Sequence, residues 1–95
     1  MRSNKTTYRP GTTQSIPTSG TSAATSNAVS DNIYIVRIHA TADCFIEFGK
    51  TPTATSSHLF MAAGAREYFQ INPGEKVAAI QSTGAGVVYV TEMTS

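Results

Sequence analysis

Few side chains in this chain could carry out chemistry. His39 and His58 are the only histidines, and Cys44, next to Asp43, is the only cysteine. A catalytic metal centre in a β-fold takes about three His or carboxylate ligands brought together, and two histidines nineteen residues apart with no third fall short of that set. Cys44 beside an acid is the one nucleophile candidate, but its position in an alternating apolar run turns it inward, where a thiol packs as a small hydrophobe. The glycines stand singly at turns; there is no phosphate-cradling G-x-x-x-x-G-K-[ST] and no nucleophile elbow G-x-S-x-G. These patterns point away from an enzyme and predict no cofactor and no metal.

The charged groups are unevenly placed. Arg2, Lys5 and Arg9 precede any acid, so residues 1–30 carry +3, while residues 31–95 hold four basic and six acidic groups, a net −2. Basic residues interleaved with aromatics mark nucleic-acid binders. Only Tyr8 accompanies the basic residues near the N-terminus, and no nucleic-acid partner is expected. No apolar run approaches the roughly 20 residues that cross a bilayer, and the hydrophilic N-terminus lacks the apolar core of a signal peptide. Synthesis in a cytoplasm and no membrane partner are the expectation. A single cysteine also means that the fold holds without an internal disulfide.

The elements that would position these residues all have the period of β-strands. The segment Ile33–Gly49, IYIVRIHATADCFIEFG, alternates on both sides of a polar break, with Tyr34, Val36, Ile38, Ala40, Cys44, Ile46 and Phe48 on one face. Read as a hairpin, it places Ile38 opposite Ile46, Val36 opposite Phe48 and Arg37 opposite Glu47, with Thr41–Asp43 as the loop and Asp43 in the left-handed conformation. Downstream, Pro52 marks an exposed loop, Ala63-Gly64 and Asn72-Pro73-Gly74 mark turns, and 58–62, 65–72, 76–82 and 87–93 read as strands. The expected core is Val36, Ile38, Cys44, Ile46, Phe48, Leu59, Met61, Phe69, Ile71, Ile80, Val88 and Val90.

Residues 1–30 are rich in Ser, Thr, Ala and Gly. Sequence of this kind buries too little apolar surface to offset its own ordering entropy, so it reads as an extended arm, with two weak strands at 14–17 and 22–29. The division expected is therefore an arm, 1–30, and a body, 31–95. Eight short antiparallel strands without helical periodicity predict an all-β fold, a small antiparallel β-sandwich of jelly-roll type. So small a core without staples points to oligomerisation, a homotrimer with a dimer as the alternative. Ile33, Ile35, Phe45 and Tyr89, apolar on the outward parity, are the candidate contacts, and Arg2, Lys5, Tyr8, Arg9 and Ile16 of the arm are the other partner-binding candidates.

The body from Ala40 to Met93 carries Asp43-Cys44, Phe48-Gly49 followed by Pro52-Thr53-Ala54-Thr55, Ala63-Gly64, Glu67-Tyr68-Phe69, Pro73-Gly74, Lys76-Val77, Ile80-Gln81 and the closing Tyr89-Val90-Thr91-Glu92-Met93. In this order it resembles the small structural proteins of tailed bacteriophage virions, the capsid decoration or cement proteins most of all. The resemblance implies a jelly-roll-like sandwich without catalytic residues that binds the assembled head and ties neighbouring subunits of the phage major capsid protein together. A neck or tail component of the virion and a carbohydrate-binding adsorption module are the alternative expectations.

Overall fold

The computed structural model describes residues 9–94. The strands are β1 (Arg9–Pro17), β2 (Ala23–Ala24), β3 (Ile35–Ala40), β4 (Cys44–Gly49), β5 (Leu59–Met61), β6 (Arg66–Gln70), β7 (Lys76–Gln81) and β8 (Val87–Thr94). No helix occurs among the described residues. Two four-stranded antiparallel sheets pack face to face: β1-β8-β3-β6, called sheet A below, and β2-β7-β4-β5, sheet B. The pairings β1 with β8, β2 with β7, β3 with β6 and β4 with β5 are nested. The chain is thus one long hairpin whose tip is the 50–58 loop, rolled so that its halves form both sheets of a jelly-roll sandwich.

That rolling corrects the expected central hairpin. β3 and β4 belong to opposite sheets, and Thr41–Asp43 carries the chain across the sandwich. The inward parity holds for Val36, Ile38, Ala40, Cys44 and Ile46, which are all buried, but not at its ends, where Tyr34 is 54% exposed and Phe48 half-buried. Alternation defines which face of a strand is apolar but not which strand lies beside it. Arg37 therefore sits beside Tyr68 and Thr91 rather than Glu47, and Glu47 meets His58 instead, Oε2 to Nε2 at 3.2 Å. Asp43 does not take the left-handed conformation; among the non-glycine residues described, Asn32 alone does, at φ 69°. The Asp43 carboxylate accepts the N–H of Ala63 (2.7 Å), and its carbonyl accepts that of Ser82 (3.1 Å).

The core is a sheet-to-sheet layer of Ile16, Val29, Ile33, Val36, Ile38, Ala40, Cys44, Ile46, Met61, Ile71, Val77, Ala79, Val88 and Val90. Phe48 and Phe69 pack against it from the rim with ring centroids 5.4 Å apart. Besides these two rings, also expected in the core, Leu59 lies outside it at 44% exposed, and Ile80 is half-buried because Val77 and Ala79 take the inward positions of β7. Ile33, expected outside, is buried.

The expected boundary at residue 30 does not coincide with a break in the structure. β1 runs along β8 from Arg9 to Pro17, with a register irregularity between Pro10 and Thr13, and β2 pairs with β7. The reason lies in the hydroxyls that made this segment look like a tail. Thr18 donates its backbone N–H to the Gly86 carbonyl (2.9 Å), and its Oγ1 accepts the N–H of Gly86 (2.8 Å). Thr25 Oγ1 accepts from Val77 N (3.3 Å), Ser22 Oγ from Ala54 N (2.8 Å), and the Gln14 side chain brackets the backbone of Asn27. Short polar side chains close onto neighbouring backbone groups that would otherwise be left unpaired. Ile16 and Val29 then supply the apolar anchors.

Candidate interaction surfaces

Among the described residues no group of three or more His, Cys, Asp or Glu side chains is placed to hold a metal ion. His39 and His58 lie on different sheets: His39 faces Tyr89 across β3 and β8 with ring centroids 6.2 Å apart, and His58 pairs with Glu47. Cys44 is fully buried in the core. Burial, and secondarily the Asp43 carboxylate, push its thiol above the usual cysteine range, which disfavours the nucleophilic thiolate. No helix among the described residues is long and apolar enough to cross a membrane.

What the fold presents to a partner is its two outer sheet faces. On sheet B, Phe60, Phe45 and Ile80 stand in one cross-strand row, because Phe45 is opposite Phe60 on one side and Ile80 on the other. The two rings approach to 5.5 Å, and Phe60 remains 47% exposed. Alongside, Glu47 is opposite Ala78, which in turn is opposite Ala24. The apolar row is therefore flanked by a row of two alanines that ends on the Glu47–His58 pair.

On sheet A the outward rows are Arg66, His39, Tyr89 and Ser15; then Tyr68, Arg37, Thr91 and Thr13; then Gln70, Ile35 and Met93. Thr13 and Thr91 join hydroxyls at 2.9 Å, and Tyr68 and Tyr89 stay exposed. These rows hold two arginines and no carboxylate, for Glu67 and Glu92 take the opposite parity. Glu92 is buried, and its carboxylate accepts the backbone N–H (2.9 Å) and hydroxyl (3.1 Å) of Ser30. At the β6 edge, Tyr34, Ile35, Tyr68, Phe69 and Gln70 line a mostly apolar concavity of about 310 Å³.

The structure thus distributes the expected partner-binding residues. Phe45 and Tyr89 point away from the body on opposite faces and cannot share one interface. Ile16 is 1% exposed and belongs to the core, which removes it from the surface. Its pairing with Val88 puts it on the inward face of β1, a position that a sequence with weak alternation does not reveal. Arg9 lies at the exposed start of β1, whereas Arg2, Lys5 and Tyr8 lie outside the described residues. Phe60 and Tyr68 are not among the partner candidates read from the sequence, and Tyr34, expected on the inward face, is exposed. Phe60 follows from the parity of its strand once β5 is paired with β4. The tyrosines come together only through the β3–β6 pairing, for which no local pattern exists. In comparisons with known proteins, no family model, no curated protein and no solved structure matches this chain.

Proposed function

We propose that this chain is a non-enzymatic structural protein of a tailed-bacteriophage virion, a decoration protein that binds the assembled head and ties neighbouring major capsid subunits together. Its place would be the capsid surface, after synthesis in the host cytoplasm. The observation that carries the reading is the opposed pair of outer faces, each with exposed aromatic side chains: Phe60, packed on the half-buried Phe45, on sheet B, and Tyr68 with Tyr89 on sheet A. One such face suffices to bind; two facing apart allow a small rigid body to bridge. The resemblance across Ala40–Met93 supports the same reading from the sequence side.

Within this proposal the apolar row of sheet B serves self-association, as a homotrimer or a dimer, with the exposed Phe60 ring and the outer edges of the half-buried Phe45 and Ile80 as the contact. Sheet A, with its arginines, faces the capsid. Self-association multiplies weak identical contacts on a repeating lattice into a firm one. The test is co-sedimentation of the purified protein with undecorated capsid shells encoded alongside it. The wild type should pellet with the shells at a fixed stoichiometry, and the F45S/F60S double variant should be monomeric and pellet at least tenfold less. A wild-type protein that stays in the supernatant at micromolar concentrations of both components would sink the proposal.

A further inference from the structure

A jelly roll has four sheet edges, and in this chain one of them is open in a way that the others are not. β1, an edge of sheet A, carries Pro10, Pro17 and a register irregularity, which are devices that blunt an edge against further pairing. The edges of sheet B are two- and three-residue strands. β6, by contrast, is five residues long, Arg66–Gln70, with no proline or glycine, and it pairs only with β3.

Which of its backbone groups are free follows from the register. Ile71 donates its N–H to the Tyr34 carbonyl (2.9 Å) and Ala40 donates to the Ala65 carbonyl (3.1 Å). In an antiparallel ladder hydrogen-bonded pairs alternate with non-bonded ones. In this register residues 65, 67, 69 and 71 bond to β3, so the N–H and C=O groups of Arg66, Tyr68 and Gln70 face the open edge. Tyr68 and Gln70 also line the apolar concavity with Tyr34, Ile35 and Phe69. Added-strand recognition works in this way, with main-chain hydrogen bonds supplying affinity and a side-chain pocket supplying specificity.

Charge selects the occupant. Arg66 ends the open strand, and Arg37 and His39 lie behind it on β3. The outward rows of sheet A hold no carboxylate, and neither arginine has an ion-pair partner among the described residues. We infer that β6 accepts an extended acidic segment of a partner protein as a fifth strand of sheet A. The main chain of this segment pairs with Arg66, Tyr68 and Gln70, an apolar side chain enters the Tyr34–Tyr68 concavity, and carboxylates face Arg66 and Arg37. The inference holds for any partner, capsid or not.

The test measures fluorescence anisotropy of the full-length protein with a labelled hexapeptide, Glu-Val-Asp-Leu-Glu-Val, and with a twin in which each acid is Lys. The acidic peptide should bind at least tenfold more tightly than the basic one, and raising salt should narrow the gap. Methylating its backbone nitrogens at alternate positions should weaken binding at least tenfold for one parity and little for the other. R66E should cost about as much as the charge-reversed peptide. Q70P removes an edge-facing N–H but no bond to β3, a substitution edge strands tolerate; it should keep the melting temperature near that of the wild type and weaken binding severalfold. Equal affinity for the two peptides, indifference to N-methylation, or no binding at millimolar peptide would overturn the inference. So would concentration-dependent self-association abolished by Q70P, which would make the occupant a second copy, or a glycan ligand lost on Y34A, which would assign the concavity to sugars. If Q70P fails to fold, R66E and the methylated peptides still decide.

Discussion

Single residues fix the points where this small sandwich closes. At Gly86 an added Cβ would lie 2.5 Å from Ala42 Cβ and 2.9 Å from Thr41 Oγ1, where the β3–β4 crossing, the end of β1 and the start of β8 converge. Thr18 and Thr41 bond to Gly86 and Val87 across this junction. Because backbone and β-carbon atoms cannot move aside as a long side chain would, G86A should cost about 1–3 kcal/mol in chemical denaturation, whereas G20A, with open space around it, should cost less than about 1 kcal/mol. At Cys44 the thiol is raised by burial, and the sign of the pH effect follows. Above the ordinary cysteine range the unfolded chain has released a proton that the folded chain still holds, so stability falls as pH rises through that window and is unaffected below it. Melting temperatures from pH 7 to 10 should therefore drop less for C44A than for the wild type, and the native thiol should resist alkylation at pH 8 until the protein unfolds. The inward turn of Cys44 was legible in the sequence, because one strand's alternation reveals it. The Gly86 contact was not, because it joins residues forty-four positions apart through a topology that no local pattern encodes.

Elements show the same division between local and non-local information. Most strand positions and the inward faces of β3, β4 and β8 followed from alternation and turn chemistry, though β7 turns Val77 and Ala79 inward rather than Ile80, and Gly74 takes the positive φ (90°) expected of the Asn72-Pro73-Gly74 turn. Pairing did not follow, since a compact β3–β4 hairpin and a crossing between sheets present the same alternation. The N-terminal third misled for a different reason: its Ser and Thr hydroxyls resemble those of a disordered tail, yet they bond to backbone groups in the body. These points separate two truncations. Deleting residues 1–12 removes β1 only up to its irregularity and leaves Thr13–Pro17 on β8, so the circular-dichroism spectrum should persist with a lowered melting temperature. Deleting residues 1–17 takes out Ile16 and should abolish cooperative melting. I16A alone should cost about 2–5 kcal/mol, as for other fully buried aliphatic side chains. F48A should cost less than I16A despite its larger ring, since Phe48 is only half-buried beside Phe69; the reverse order would show that the rim carries more of the fold than the layer between the sheets.

For the whole molecule, the jelly roll leaves chemistry to its outside. Its interior is filled by aliphatic side chains, its buried carboxylate is engaged by Ser30, and its exposed aromatic residues lie on two faces that point apart. The proposed decoration role would use those two faces for contact. Little of that surface was legible beforehand. Phe45 and Tyr89 emerged from parity, but that they face opposite ways depends on β4 and β8 being in different sheets. Sedimentation should show a wild-type oligomer that F45S/F60S converts to monomer, while Y89S leaves the assembly intact because Tyr89 lies on the other sheet. The decoration proposal is tested most directly by a cryo-electron microscopy reconstruction of the phage particle on which the protein is proposed to sit. A decoration role predicts copies repeated across the head lattice by the hundred, each seated with sheet A toward the capsid and spanning more than one major capsid subunit. Six or twelve copies confined to a neck or tail ring, or none on the particle, would contradict it.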